Sequence, residues 1–182
     1  MALIVEDGSI VTGAESYCTV AFANTYLANR GYTAWDALDD TNAKEPALRK
    51  ATDYILAMFK GRWQGYKVNE DQALDWPRYG VIVDGYDVAY DSVPLAVQKA
   101  CAELAYRAST ADLSPDLSQG VLSESVGPIS VTYDKSSPQF TRYRAIDALL
   151  SPYLKAGGSA CSMGVIRSCP FTPAYRLPRT GF

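Results

Sequence analysis

Pairs of carboxylates come closest to a catalytic arrangement in this sequence. They occur at Asp39 and Asp40, at Glu70 and Asp71, and at Asp84 and Asp87. Two neighbouring carboxyl groups can divide the roles of general acid and general base when their surroundings push their pKa values apart. All three pairs lie in polar segments, where helix capping and solvated turns account for acidic side chains. We therefore expect no catalytic residue among them.

The sequence contains no histidine. This absence removes the commonest general base and the commonest protein ligand for metals. It also excludes a nucleophile activated by histidine and a zinc site with imidazole ligands. Asp84, Asp87 and Asp91 are the nearest approach to a divalent-cation loop, but apolar and aromatic residues interrupt their spacing. With no Walker A or G-x-G-x-x-G motif either, we expect no metal and no cofactor.

Four cysteines are present and none forms a C-x-x-C pair; they are Cys18, Cys101, Cys161 and Cys169. Cys101 falls on the apolar side of a predicted helix, where a thiol acts as a small hydrophobic group. Cys161 and Cys169 could pair, although their spacing matches no known framework. Reduced thiols are the expected state.

Charge is distributed unevenly over the 182 residues, whose net charge is −3. Residues 1–134 contain 10 Lys+Arg against 19 Asp+Glu, a net charge of −9, whereas residues 135–182 contain 7 against 1, a net charge of +6. An acidic body with a basic end predicts a partner for that end, either a nucleic acid or an acidic protein surface. A solvated basic tail is the alternative.

The periodicity of apolar residues predicts four helices. They run from Val20 to Arg30 with Ser16 or Thr19 as N-cap, from Pro46 to just before Gly61, from about Val93 to Ser109 or Thr110, and from about Arg142 to Leu154. Asp91 or Ser92 is the expected cap of the third helix, with Pro94 in its first turn. These elements predict a mainly α fold, a small four-helix bundle.

A β-hairpin is expected to project from this bundle at residues 121–133. One arm covers Val121 to Val126, and the other alternates so that Ile129, Val131 and Tyr133 share a face. Because an isolated hairpin is marginal in water, this face is expected to contact a neighbouring subunit. The hairpin and the helices together form a predicted domain of residues 1–156.

Residues 64–92 are predicted to be an irregular loop held down by aromatic side chains. Trp63, Trp76, Pro77 and Arg78 are the expected structural residues there, together with Pro94 at the helix that follows. Val81-Ile82-Val83 could form a short strand before a turn at Asp84-Gly85. Four tyrosines are further candidates for packing against the core, and tyrosines in this sequence could also serve subunit interfaces; the four are Tyr66, Tyr79, Tyr86 and Tyr90.

Residues 157–182 form a predicted extended arm with no acidic residue. Aromatic and arginine side chains alternate in it, a composition typical of segments that become ordered on a partner. We expect its contact residues to be Arg167, Phe171, Tyr175, Arg176, Arg179 and Phe182. No secretory signal or membrane-spanning apolar run is evident, which predicts a protein that is made and used in a soluble compartment.

Five motifs, in this order and at this spacing, resemble the head–tail adaptor family of tailed phages, also called head-completion or connector proteins. They are Val5-Glu6-Asp7-Gly8 followed by Glu15-Ser16-Tyr17; Arg49-Lys50-Ala51-Thr52-Asp53-Tyr54-Ile55 followed by Trp63-Gln64-Gly65; Leu74-Asp75-Trp76-Pro77-Arg78 with Gly80; Val93-Pro94-Leu95-Ala96-Val97 followed by Ala100 and Ala102-Glu103-Leu104-Ala105; and Glu124-Ser125-Val126-Gly127-Pro128-Ile129-Ser130-Val131-Thr132-Tyr133. The likeness covers roughly residues 1–154. Some members of this group are labelled DnaT-like single-stranded DNA-binding proteins.

The resemblance implies a structural protein of the virion neck that is assembled in the host cytoplasm. Its partners would be further copies of itself in a ring, usually of twelve, the portal protein, and a tail or stopper protein. Double-stranded DNA would pass through the ring without sequence-specific contacts, and the C-terminal arm would dock on the portal. No membrane is implied.

Two other functions remain open from the sequence. The basic aromatic arm could serve a single-stranded DNA-binding module, because bases stack on aromatic rings and arginines follow phosphates. An enzyme of unrecognised type is the third alternative, and no feature names a substrate for it.

Overall fold

A computed structural model describes residues 2–115 and 143–155, together with the backbone of residues 123–126 and 129–132. The helices are α1 (Val20–Ala28), α2 (Thr33–Asp36), α3 (Glu45–Phe59), α4 (Leu95–Ala108) and α5 (Arg144–Leu150). A π-helical turn, Asp40–Lys44, leads into α3, and a 3₁₀ turn, Ser151–Tyr153, follows α5. This helix-rich composition is compatible with the mainly α class.

Among the described residues, three pairs of short antiparallel strands accompany the helices. They are β1 (Tyr66–Lys67) with β2 (Arg78–Tyr79), β3 (Ile82–Val83) with β4 (Tyr86–Asp87), and β5 (Ser123–Val126) with β6 (Ile129–Thr132). The predicted hairpin is therefore present as β5 and β6, with Val126 opposite Ile129. The expected contact of this hairpin with another subunit stays a prediction.

Helix α4 lies at the centre of the fold and packs against α1, α3 and α5. Cys101 lies on its buried face, as the sequence predicts, and six of its residues are buried: Val97, Ala100, Cys101, Ala102, Leu104 and Ala105. The alanines on this face allow the neighbouring helices to approach closely, because they project little side-chain volume. Helix α4 is thus the common partner of α1, α3 and α5, and these contacts do not confirm the predicted four-helix bundle.

The sequence predicts the wrong N-cap residue for α4. Neither Asp91 nor Ser92 caps the helix; Pro94 occupies the N-cap position, and no side chain there accepts a hydrogen bond from the first turn. The fixed φ angle of proline and its lack of an N–H suit this position without a capping side chain. At α1, in contrast, the Thr19 hydroxyl accepts from Phe22 N at 3.0 Å, which selects Thr19 over Ser16.

Residues 64–92 contain more regular structure than the sequence predicts. The short strand expected before Asp84-Gly85 is present as β3, and both turn residues have positive φ angles, 53° and 85°. Two consecutive positive φ angles are the signature of the tight turn that matches the twist of a hairpin. Pairing of β1 with β2 was not predicted, because its partners are too short to show alternation and are far apart in the sequence.

Candidate nucleic-acid interface

Trp76 anchors the segment between α3 and α4 to the core. It is fully buried, and its ring meets that of Trp63 edge to face, with centroids 5.6 Å apart. On its other side Trp76 meets the Tyr153 ring at 5.8 Å. The Trp63 indole N–H donates to an Asp75 carboxylate oxygen at 3.1 Å, so this aromatic cluster also fixes the turn before the Trp76–Pro77 cis peptide bond.

Arg78, a residue that is 8% exposed, holds the same segment through its guanidinium group. It donates to the carbonyl oxygens of Gln64 at 2.8 Å and Gly65 at 2.9 Å. A third hydrogen bond goes to the carbonyl of Asp75 at 3.1 Å. Burial lowers the pKa of Arg78, and the nearby Asp75 opposes that shift. The rigid fork of donors lets this one side chain tie residues 64–65 to residues 75–78.

Two tyrosines lie on the surface of the platform that Trp76 and Arg78 support. Tyr66 in β1 and Tyr79 in β2 are direct cross-strand partners, and their rings lie 5.5 Å apart at 31°. They are 68% and 50% exposed. Gly65 makes this pairing possible, because a Cβ atom there would lie 2.1 Å from the carbonyl oxygen of Tyr79. The prediction that these tyrosines pack against the core is wrong.

Three exposed cations gather where the last described residues return to the end of α3. The backbone N–H of Lys155 donates to the carbonyl of Arg62 at 2.8 Å, and its ammonium group donates to the carbonyl of Gly61 at 3.2 Å. Lys60 precedes Gly61 directly. Within the described part of the chain, none of the three cations forms an ion pair. We call Lys60, Arg62, Lys155 and the Tyr66–Tyr79 pair the basic tyrosine site.

A second exposed surface has the opposite charge. The segment 82–91, which we call the acidic hairpin, carries Ile82, Tyr86 and Tyr90 with exposed fractions of 54%, 79% and 63%. It also contains three exposed carboxylates, Asp84, Asp87 and Asp91, and no lysine or arginine. Tyr86 and Tyr90 were expected to pack against the core, and both instead face solvent.

Most of the contact residues expected from the sequence lie outside the described residues. These are the arm residues Arg167, Phe171, Tyr175, Arg176, Arg179 and Phe182, together with Tyr133 of the predicted hairpin face. Ile129 and Val131 are in β6, where the backbone register alone is described. The division of the chain at residue 156 and the roles of these residues stay predictions.

Two buried polar features were missed by the sequence analysis. The Glu6 carboxylate is 2% exposed and accepts hydrogen bonds from the backbone N–H groups of Gly8, Ile10 and Val11, at 2.9 to 3.0 Å. Acidic residues just before a glycine turn were the available signal for it. Cys18 lies beside Cys101 in the core, and their hydrogen bond raises the pKa of the Cys18 thiol. No sequence signal links cysteines so far apart.

Among the described residues, no group of three or more histidine, cysteine, aspartate or glutamate side chains is placed to hold a metal ion. No described helix is both long and apolar enough to cross a membrane.

A family described as "Putative DnaT-like ssDNA binding protein" matches residues 1–168 of this sequence. The match covers most of the 182 residues, including both exposed surfaces and the predicted hairpin. The chain belongs to this DnaT-like family. No curated protein and no solved structure matches it. The basic tyrosine site combines exposed aromatic rings and cations, the residue types that can contact bases and phosphates.

Proposed function

We propose that this DnaT-like protein binds single-stranded DNA through the basic tyrosine site. The observation that carries the proposal is the exposed Tyr66–Tyr79 pair. Lys60 and Arg62 precede Tyr66 by six and four residues, Lys155 is hydrogen-bonded to Arg62 and Gly61, and none of these cations forms an ion pair with a described residue. The description of the family points to the same ligand. The proposal assigns no catalytic step to the protein.

The chemistry follows from the two residue types. Every base has a flat π face, so exposed tyrosine rings accept bases without regard to sequence, at about 1–3 kcal/mol per base. Lys60, Arg62 and Lys155 would follow the phosphates and release condensed counterions. The segment from Lys60 to Tyr66 spans at most about 20 Å of extended chain, which limits the site to a few nucleotides.

The net charge of −9 in residues 1–134 works against a phosphate ligand. At physiological ionic strength, however, charges separated by more than about 8 Å are largely screened. The nearest charges therefore decide binding. At the end of α3 these are Lys60, Arg62 and Lys155, with one carboxylate, Asp147, lining a pocket together with Arg62, so the local excess is positive. The basic arm, with Arg167, Arg176 and Arg179, would extend the contact beyond the described residues.

Fluorescence anisotropy with a labelled oligothymidine at low salt tests the proposal. Replacing Tyr66 and Tyr79 by alanine together should weaken binding about tenfold or more, the loss expected for one or two stacked bases. The matched control is Tyr86→Ala with Tyr90→Ala, two tyrosines of similar exposure in the acidic hairpin, which should change the affinity little.

The cations are tested in the same assay. Lys60→Gln with Arg62→Gln should reduce both the affinity and its salt dependence, whereas Lys50→Gln with Lys99→Gln removes equal charge elsewhere and should have the smaller effect. If micromolar wild-type protein produced no anisotropy change at low salt, the DNA-binding proposal would be wrong.

A structural head–tail adaptor in a phage neck is the second candidate. It is favoured by the acidic body and by exposed apolar side chains that suit subunit contacts, namely Ile4, Ile82 and Leu95. In this proposal the protein forms a ring, of about twelve copies as the resemblance implies, between the portal and a tail or stopper protein. An acidic channel wall would let double-stranded DNA slide without adhering.

Negative-stain images of the protein mixed with a phage portal protein would test the adaptor. Rings stacked on the portal support this candidate. Its rejection requires that neither a ring nor a complex forms with portal present, since a ring of this kind can depend on the portal to assemble. This measurement is independent of the oligonucleotide assay.

A further inference from the structure

The acidic hairpin exposes aromatic and apolar side chains that no described residue covers. Tyr86 is 79% exposed and Tyr90 63% exposed, while Ile82 shares the opposite face of the β3–β4 pair with Asp87. Clustered exposed apolar side chains mark interaction surfaces, and these three lie within nine residues, on the two faces of one hairpin and in the turn after it. Their presence raises the question of which segment or partner covers them.

The charge of the hairpin restricts the answer. None of the carboxylates of Asp84, Asp87 and Asp91 forms an ion pair with a described residue. A segment that offers arginines and aromatic rings in alternation would satisfy both features, because guanidinium groups pair with carboxylates and also stack on tyrosine rings. Stacking of a guanidinium group on a tyrosine ring already occurs in this protein, where the central carbon of the Arg30 guanidinium lies 3.5 Å from the centre of the Tyr26 ring.

Residues 157–182 of this chain have that composition. They contain three arginines and no acidic residue, and Phe171, Tyr175 and Phe182 are interleaved with them. With three aspartates and no cation in the hairpin, the charges of the two segments are equal in number and opposite in sign.

The arm also begins beside the hairpin. The Gln64 carboxamide donates to the carbonyl of Leu154 at 3.2 Å and accepts from the backbone N–H of Ile82 at 3.4 Å. One side chain therefore separates the last described turn from the first strand of the hairpin. A segment tethered at such a short distance has an effective concentration in the millimolar range, which favours the arm of the same chain over a free partner.

We propose that residues 157–182 dock on the acidic hairpin of their own chain, with Arg167, Arg176 and Arg179 directed to its carboxylates and the arm aromatics packed on its exposed side chains. The docked arm covers the apolar surface of the hairpin. The proposal concerns a contact within the protein in the absence of DNA. Because the same three arginines are proposed to contact phosphates in the DNA complex, bound DNA would displace the arm from the hairpin.

Trypsin cleavage of the full chain, followed site by site with mass spectrometry, tests the docking. Cleavage after Arg167, Arg176 and Arg179 should be about fivefold slower in the wild type than in the variant Asp84→Asn/Asp87→Asn/Asp91→Asn, the factor that corresponds to about 1 kcal/mol. Asparagine retains the size of each side chain and tolerates the positive φ angle of 53° at Asp84. The protection should disappear at about 1 M salt, where the Debye length is about 3 Å.

The matched control is Asp36→Asn/Asp53→Asn/Asp112→Asn, which removes the same charge at exposed positions outside the hairpin. It should keep the wild-type protection. Equal cleavage rates in all three proteins, or an equal loss of protection in the control, would overturn the proposal. Protection that falls when the protein is diluted would assign the contact to a second copy and would overturn docking within one chain.

Discussion

A single glycine decides whether the platform of the basic tyrosine site can form. Gly65 has a φ angle of +61°, and a Cβ atom there would lie 2.1 Å from the carbonyl oxygen of Tyr79. Gly61 has a similar φ angle, +76°, with open space around it. A substitution at Gly61 therefore adds only the cost of an unfavourable backbone conformation. A substitution at Gly65 adds to that cost the collision of the new Cβ atom with the carbonyl of Tyr79.

We expect Gly61→Ala to lower the free energy of unfolding by about 1 kcal/mol, the cost of a left-handed conformation for a residue with a Cβ atom. Gly65→Ala should cost clearly more, about 3 kcal/mol, because a backbone collision is added to that term. Urea unfolding followed by tryptophan fluorescence measures both. Equal losses would mean that the contact at Gly65 relaxes without cost.

The structural role of Arg78 can be predicted from the sequence, but its hydrogen-bond partners are visible only in the folded protein. The sequence identifies it as structural because it follows Trp76 and Pro77. Its three carbonyl partners could not be anticipated, since Gln64 and Gly65 lie more than ten residues away. The four tyrosines of the same segment were interpreted wrongly for a related reason: their residue type suits both burial and exposure.

At the level of elements, α4 is the helix on which the others depend. It contacts α1, α3 and α5, and its apolar spacing was sufficient to predict which face is buried. Its position at the centre was not predictable, because the apolar stripes of α3 and α4 look alike in the sequence. The order of packing depends on how the loops between helices turn.

The same substitution at two positions of α4 tests this description. Leu104 is fully buried, and Leu104→Ala should destabilise the protein by about 2–5 kcal/mol through lost burial and the cavity left behind. Leu95 is 53% exposed, so Leu95→Ala should change stability by at most about 0.5 kcal/mol. Chemical denaturation of both variants provides the measurement. A loss at Leu104 as small as that at Leu95 would contradict the central role of α4.

The short strand pairs differ in how visible they are in the sequence. The turn residues Asp84 and Gly85 predict β3 correctly, because consecutive positive φ angles favour this residue pair. The β1–β2 pair carries no such signal, since its strands join residues 66–67 to residues 78–79. Long-range pairing of two-residue strands is a property of the folded chain, and with it comes the exposed Tyr66–Tyr79 pair.

For the whole molecule, the separation of charge is the dominant feature. Residues 1–134 are acidic and residues 135–182 are basic, so a partner that binds the basic end meets repulsion from the body. The cations at Lys60, Arg62 and Lys155 lie at the end of α3, where the last described residues return to the body. DNA binding by this protein should therefore depend on salt through these three cations as well as through the arginines of the basic end.

We expect the variant Arg167→Gln/Arg176→Gln/Arg179→Gln to bind oligothymidine with a flatter salt dependence. If each arginine contacts one phosphate, the slope of log K against log salt should fall in magnitude by about 2. Titrations at several salt concentrations measure the slope. The double variant Lys50→Gln/Lys99→Gln is the control, and an unchanged slope in the arginine variant would show that the arm does not contact DNA.

By itself, the sequence determined the helix-rich class, the buried face of α4, and the separation of acidic body and basic end. These follow from local spacing and from counting charges, which need no knowledge of distant neighbours. Only the tertiary structure placed Tyr66 beside Tyr79 and Lys155 beside Arg62, exposed the acidic hairpin, and brought Cys18 against Cys101. The three contacts join residues that are separated in the chain, and the exposure of the hairpin depends on what packs around it. Both are decided by how all the helices pack together.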